Sequence, residues 1–565
     1  MSTWVEERFP DIVVGIDFGM TCTGCVAYTI GPEWGPPKTI QRWPGKLLSE
    51  LANKVPTSLV YRPDGKTPAE WGFGCDTEDN TSEIKEFFKL HLAPQSASES
   101  ESTGTSITRK EARRWFQDYI SCIYKHVVTH FHGSIPGFEK MRVEFIFSVP
   151  TTWKDVRLIE DIRRLIAEAI KAGAPNHWAC IGLTEAEAAA VYACHRRYDP
   201  GLRLGWRDYG EIAPMDSLIV ERLSKVRDEL EHTPEHVAWK MLSGRFQRLK
   251  CAFGTDVART PMLSLEVPFL KNSRTDLPVA GIYDGQMSIE WEHIQRSFDK
   301  KINEMCELLD RQIQNMETKY PQDRISYLIL SGGFGSSPYV RDRLHQRYAV
   351  PGVAKHPNVL GLQVLMAEEP QLAVVHGLLL DRIQQLKRGV VMFGSRRSPV
   401  SYGIICDLIY DPEKHIGEPV RRDPRDNNLY AIDQIEWLII QGHTVPHTGI
   451  SKDFQLKIKP GEEHLPWKVH VVMSTNPPDL LPQSMKGKGA QHVCSLDIST
   501  DDVDRKMKNR RWYNMRPRYW RALFEVRVVV GAADLTFQLW SKDQRIRSSQ
   551  HEPIRVQWMP AAANE

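Results

Sequence analysis

The chain has 565 residues, 41% hydrophobic and 9% aromatic, enough for several ordinary domains with cores of their own. Its 73 Lys and Arg against 71 Asp and Glu leave a formal charge of +2, which excludes a global field that would gather nucleic acid or acidic membrane. Ten cysteines are too sparse for a disulfide scaffold, no run approaches the ~18 apolar residues of a membrane span, and Met1 to Asp11 lacks a signal peptide's apolar core, so a soluble cytoplasmic protein is expected.

Val13 to Tyr28 (VVGIDFGMTCTGCVAY) reads as two β-prone runs flanking a short loop with glycines and hydroxyls, the pattern of a hairpin. Glycine lets such a loop turn sharply and present its N–H groups to an anion, while an ordinary buried hairpin remains the plain alternative. Cys22 and Cys25 form a single CxxC without a second pair at zinc spacing. Val55 to Tyr61 reads as a strand, and Glu83 to Leu92 as a short strand or helix carrying Lys85 and Lys89. Gln95 to Ser106, rich in Ser, Glu and Thr, reads as a loop. Thr108 and Glu111 have capping-box spacing and open a helix to about Phe131.

Glu144 to Val149 is a strand stopped by Pro150, with Thr151 and Thr152 as candidate caps for a helix whose stripe is Val156, Ile159, Ile162, Ile166 and Ile170. Trp178 to Leu183 is a further strand, and Thr184 to Ala190 opens an alanine-rich helix; strand and helix in alternation indicate an α/β fold. Arg196 to Pro214 breaks the pattern. Helical spacing returns with Ile219, Leu223, Val226 and Leu230, then over Ala238 to Phe253. Met262 to Phe269 and Gly281 to Ile289 alternate as strands about an Asp284-Gly285 turn, and a long helix follows with Ile294, Phe298, Ile302, Met305, Leu309, Ile313 and Met316 on one stripe. The strand Ile325 to Leu330 runs into Ser331-Gly332-Gly333-Phe334-Gly335-Ser336, a strand-to-helix turn suited to an anion or nucleotide.

Beyond Arg388 alternating runs and turns dominate, the best strands being Tyr430 to Gln441, Phe454 to Ile458, Trp467 to Met473 and Leu523 to Trp540. Arg505 to Arg521 carries eight Lys and Arg and no acid, with Trp512, Tyr513, Tyr519 and Trp520 interleaved. A solvated loop with its aromatics anchored to the β-rich domain is the expectation there, single-stranded nucleic acid the alternative.

Taken in order, VVGIDFGMTCTGCVAY, FIFSVPTTWKD followed by LTEAEAAAVYA, RFQRLKCAFG, LILSGGFGSSPYV and AVVHGLLL resemble the heat shock protein 70 family, in particular its divergent fungal-type members, from about Ile12 to Leu380. The resemblance implies an actin-like ATPase fold (ribonuclease H-like): a two-lobed nucleotide domain over 1–388, lobe I about 1–190 and lobe II about 191–388, then a β-rich, degenerate substrate-binding-like domain over 389–565. It implies ATP or ADP with Mg²⁺ as cofactors, Gly19, Met20 and Thr21 on the phosphates, and Asp17 on hydrated Mg²⁺. It places Lys89, with Lys85 second, on the attacking water and Glu185 as a second acid near the metal. Gln247, Lys250, Gly254, Gly332, Gly333 and Ser336 fall where the family contacts adenosine.

The sequence departs from the family after Cys194. The second phosphate hairpin, Asp-x-Gly-Gly-Gly-Thr, is missing there, and Gly332-Gly333 is the sole Gly-Gly pair in the chain. With one phosphate jaw lost, hydrolysis is expected to be weak or absent. The family's acidic linker is replaced by Lys387 to Phe393, and no long terminal helix follows. The expectation is a monomeric, ATP-binding, chaperone-type protein with client polypeptides or co-chaperones as partners and neither nucleic acid nor membrane. A non-catalytic scaffold that no longer binds nucleotide and a sugar-kinase-like phosphotransferase are the alternatives.

Overall fold

Alternating apolar runs and amphipathic helices place a mixed sheet at the centre of the N-terminal half. The computed structural model describes residues 9–47, 49–75, 84–93, 107–153, 156–171, 174–196, 213–242, 246, 253–255, 262–272, 276–353, 356–389, 391–398, 400–465, 467–498, 503–531, 535–541, 544–545 and 557–558. The chain divides into two compact units, one of 1–152 and 165–386, the other of 153–164 and 387–565. No helix among the described residues is long and apolar enough to cross a membrane.

In the first unit, β1 (Ile12–Asp17), β2 (Cys22–Ile30), β3 (Lys38–Thr39) and β4 (Lys54–Pro56) precede α1 (Arg109–Ser134). There follow β5 (Val143–Val149), α2 (Val156–Lys171), of which only the part from Leu165 belongs to this unit, β6 (His177–Thr184) and α3 (Glu185–Arg196). The sheet order is β3-β2-β1-β5-β6, with β4 also on β2. β1 runs antiparallel to β2 and parallel to β5, and β5 parallel to β6. β1 and β5 are buried along almost their whole length rather than on alternate residues, with Glu144 and Ser148 the polar members of β5. The β1–β2 register shifts at Ile16/Asp17, where β2 has one extra residue, Cys25, at the mouth of the hairpin.

The Thr108–Glu111 capping box forms as the sequence predicts. One face of α1 buries Trp115, Phe116, Tyr119, Ile120, Ile123 and Val127, with Phe116 edge-on to Phe18 and Tyr124 edge-on to Phe145. Thr184 and Glu187 make the matching arrangement at α3: the Thr184 hydroxyl accepts from Glu187 N at 3.3 Å, and the Glu187 carboxylate accepts from Thr184 N at 3.1 Å.

The second half of this unit holds α4 (Ala213–Ser224), α5 (Pro234–Met241), β7 (Met262–Glu266), β8 (Ile282–Tyr283), β9 (Gln286–Glu290) and α6 (Trp291–Lys319). β10 (Tyr327–Leu330), α7 (Pro338–Tyr348), β11 (Gln363–Met366) and α8 (Ala373–Arg388) complete it. Asp284 and Gly285 both take positive φ, the type I′ geometry a two-residue hairpin turn demands. Among the described residues the second half has a three-stranded antiparallel sheet, β8-β9-β7, and a parallel pair, β10-β11. Of the helix predicted over Ala238 to Phe253, α5 covers the start, opening earlier at a Thr233 cap and ending at Met241, and Phe246 is again helical, while 243–245 and 247–252 lie outside the described residues. The stretch Arg196 to Pro214, where the second phosphate hairpin is missed, lies outside the described residues over 197–212.

α8 ties the halves of this unit together. A Cβ on Gly15 of β1 would meet Val375 at 3.0 Å and Leu379 at 3.2 Å, and one on Gly182 of β6 would meet Leu378 at 3.2 Å. Small residues at these points let helix and sheet approach closely.

The C-terminal unit contains β12 (Ser401–Ile409), β13 (Val420–Arg422), β14 (Leu429–Ile439), β15 (Ile450–Ile458), β16 (Trp467–Ser474) and β17 (Ala490–Ile498). β18 (Arg505–Lys508), β19 (Tyr519–Val530), β20 (Leu535–Ser541) and β21 (Gln557–Trp558) follow. One sheet has the order β13-β14-β12-β16-β17-β21; in the other, β15 and β20 flank β19, with β18 also on β19. Tyr402, Ile439, Val471 and Val493 of the first pack with Ala522, Phe524, Val526 and Val528 of the second in one core, which makes a β-sandwich. The run Leu523 to Trp540, read from sequence as one strand, is two antiparallel strands, β19 and β20.

Candidate functional site

The hairpin loop after β1 is held by side chains from far along the chain. Thr57 Oγ1 donates to Gly19 O at 3.0 Å and shares a 2.9 Å hydrogen bond with Thr23 Oγ1, while Thr57 N donates to Thr21 O at 3.0 Å. These bonds fix the loop backbone over Gly19, Met20 and Thr21 and leave Thr21 exposed.

Asp17 stands at the C-terminal end of β1, where Ser148 Oγ at the end of β5 donates to its carboxylate at 3.0 Å. Its surface is partly open at the mouth, yet the protein atoms around it desolvate the carboxyl, and this together with the Glu185 carboxylate pushes its pKa up; Lys89, Lys54 and the Ser148 bond oppose the shift. Glu185 is the first residue of α3. Lys89, on the 3-10 turn Phe88–His91, donates to Glu185 Oε1 at 2.7 Å and to Phe18 O, with its ammonium 5.5 Å from the Phe18 ring centroid. Asp17, Lys89 and Glu185 thus form one cluster at the loop. Lys85, the second candidate, instead lies 5.3 Å over the Trp115 ring.

The glycine turn after β10 is one helical turn, Gly332–Gly335, in which Gly332 has φ +78°. Ser336 Oγ and Ser336 N both donate to Gly332 O, and Gly332 N donates to Pro370 O at 3.0 Å. A Cβ on Gly332 or Gly333 would meet nothing within 4 Å, so this backbone faces open space. Gly254, at φ +89°, lies against the start of α7: a Cβ there would stand 2.8 Å from Tyr339 N. Phe253 packs on Trp291, Phe298 and Tyr339, and Phe334 stacks on Phe298, so Gly254 and the glycine turn share one aromatic floor. Gln247 and Lys250 lie outside the described residues.

Pro370, which holds Gly332, is five residues from Val375, which packs under Gly15, so at most about 18 Å of chain separates the two contacts. Sequence reasoning missed Thr57 and Ser148. Ser148 is one residue before the end of an apolar strand, as Asp17 is at the end of its own, and that pairing of strand ends was the available signal.

Among the described residues there is no group of three or more His, Cys, Asp and Glu that could hold a metal by itself. Two neighbouring carboxylates, Asp17 and Glu185, would suit a hydrated Mg²⁺.

A family model described as a domain of unknown function, DUF8568, matches residues 396–560, within the β-sandwich unit. No curated protein matches the chain. Among solved structures, that of MreB 5 of Spiroplasma citri bound to AMPPNP is similar at 10% identity and a TM-score of 0.39, over 67% of this chain and 99% of that one.

Proposed function

We propose that the first unit is an actin-like nucleotide-binding domain that takes ATP or ADP with Mg²⁺. The observation that carries this reading is Lys89 held between Phe18 O and Glu185 beside the desolvated Asp17, at the mouth of a hairpin braced by Thr57. The sheet order β3-β2-β1-β5-β6, with three parallel strands ending at that mouth, supports it.

In this reading the amides of Gly19, Met20 and Thr21 and the Thr21 hydroxyl hold the phosphates. Asp17 and Glu185 hold hydrated Mg²⁺, which supplies charge neutralisation when bound. Lys89 orients the attacking water, and the open backbone of Gly332 and Gly333, with Ser336 and Gly254, borders the base. Positioning from one side alone makes turnover slow. The finer reading, a cytoplasmic heat shock protein 70-like chaperone acting on client polypeptides, rests on the motif order and on the β-sandwich of the second unit.

A second reading, a pseudo-ATPase scaffold, is favoured by one observation: the Lys89 ammonium is already paired with Glu185 and Phe18 O, so the cluster is satisfied without a ligand. Photolabelling with 8-azido-ATP and peptide mapping separates the two. The nucleotide reading expects label in a peptide covering 332–336 that excess ATP competes away. Label that ATP does not compete, or label elsewhere, rejects it.

A further inference from the structure

The β18–β19 hairpin of the C-terminal unit carries a built tip that the nucleotide reading does not use. Its strands pair Arg505 with Ala522 through Lys508 with Tyr519, which leaves the connection Asn509 to Arg518. Asn509, at φ 58°, closes that connection from inside. Its amide donates to Pro517 O at 2.7 Å and to Arg425 O at 2.8 Å, and its Oδ1 accepts from Asn514 Nδ2 at 2.8 Å. Arg516 N donates to Asn514 Oδ1 at 3.1 Å and Arg516 Nη1 to Asp426 O at 2.9 Å. A 3.0 Å bond from Asn514 N to Arg511 O makes Trp512 and Tyr513 the centre of a β-turn.

The turn is therefore held by Asn509, Asn514, main chain and the Arg516 guanidinium, and the side chains of Trp512 and Met515 take no part in it. Trp512 is 91% exposed, Met515 94% and Tyr513 59%. The expectation that all four aromatics anchor to the domain holds only for Tyr519, which is buried, and Trp520, whose Nε1 donates to Glu463 at 2.6 Å. Around the apex the charge has one sign, since Arg505 to Arg521 contains eight cations and no acid. Lys506 stands directly opposite Arg521, an unfavourable like-charge pair, and Arg521 Nε is buried without a hydrogen-bond partner. Three acids close to the hairpin are already engaged: Asp423 and Asp426 by Lys457, Asp423 also by Arg425, and Glu463 by Trp520.

A base-stacking surface needs π-faces presented in succession along a groove. Here the Trp512 and Tyr513 rings lie 82° apart, Arg511 lies over the Tyr513 ring at 5.8 Å, and the third apex residue, Met515, has no π-face. Tryptophan and a flexible apolar chain at a tip, above a collar of arginines, match instead the boundary between headgroup and acyl chain in an anionic bilayer. A net charge of +2 for the whole chain excludes a global field but not this local one.

We propose that Trp512 and Met515 insert at the headgroup level of an anionic phospholipid surface while Arg510, Arg511, Arg516 and Arg518 contact the lipid phosphates. The test is co-sedimentation of the full chain with phosphatidylcholine vesicles, with and without phosphatidylserine, beside fluorescence anisotropy with a single-stranded oligonucleotide. The expected result is binding to the serine-containing vesicles alone, weakened by salt and lowered about tenfold or more by Arg510→Glu/Arg518→Glu. Trp512→Ala/Met515→Ala is expected to lower it as much while leaving the melting temperature unchanged, because neither side chain supports the fold. Three results would overturn the proposal: binding to neither vesicle, equal binding by the Trp512→Ala/Met515→Ala variant, or oligonucleotide binding that this variant loses in the absence of vesicle binding.

Discussion

A Cβ placed on Gly377 would stand 1.8 Å from the carbonyl oxygen of Ala188, so α8 and α3 cross with their backbones in contact. No rearrangement of a flexible side chain relieves such a clash, because the obstacle is main chain. Gly377→Ala therefore forces two helices apart that both pack in the first unit. The expected cost is about 3 kcal/mol or more by denaturant titration. A loss of under about 1 kcal/mol would show that the crossing is looser than described.

Gly333→Ala is the opposite case. Its Cβ would meet nothing within 4 Å, and Gly333 has no positive φ, so stability should hold to within about 0.5 kcal/mol. If the open space beside it takes a nucleotide base, the same methyl group weakens nucleotide affinity while the melting temperature stays put. Unchanged affinity would move the base away from this turn.

Glu144 is buried in β5 and accepts from Arg382 Nε at 2.7 Å, Arg382 Nη2 at 3.1 Å and Trp178 Nε1 at 3.2 Å. Arg382→Met strands that carboxylate and should cost about 3–5 kcal/mol. Glu144→Gln in the same chain removes the charge, keeps an acceptor for Trp178 and should recover most of the loss. The double-mutant cycle measures this, and additive single effects would contradict it.

Burial pushes the Glu86 carboxyl from 4.5 up to about 7, with Lys240 opposing. Between those values the folded state keeps a proton that the unfolded chain has released, so stability falls as pH rises through this window. The full effect would be about 3 kcal/mol, and the partial exposure of Glu86 makes it smaller. Glu86→Gln should flatten this part of the stability–pH profile and raise stability near neutral pH. An unchanged slope would assign the effect to another group.

Local signals were the legible ones. The β1–β2 hairpin follows from two β-prone runs around a glycine loop, α1 from Thr108 and Glu111, and α6 from a stripe that the structure buries at Ile294, Phe298, Ile302, Leu309 and Ile313. What stayed hidden depends on contacts between distant residues. Thr57 reaches Gly19 across 38 positions with no local pattern to mark it, and Ser148 reaches Asp17 across 131 with only its place near a strand end as a signal. Lys89, which the resemblance placed first, sits on a 3-10 turn beside Glu185, whereas Lys85 lies over the Trp115 ring. The exposed Trp512 was misread because aromatic residues in a β-rich domain are ordinarily buried, whereas here Asn509 supplies the bracing that a buried ring would otherwise provide.

The most direct measurement is isothermal titration of the full chain with ADP in the presence and absence of Mg²⁺, repeated on Asp17→Asn. The account predicts one site per chain, tighter with Mg²⁺, and weakened about tenfold or more by Asp17→Asn, a change that adds no charge to the desolvated position. A folded protein that shows no binding heat up to about 1 mM nucleotide, or an Asp17→Asn variant that binds Mg²⁺ and ADP as the parent does, would contradict it.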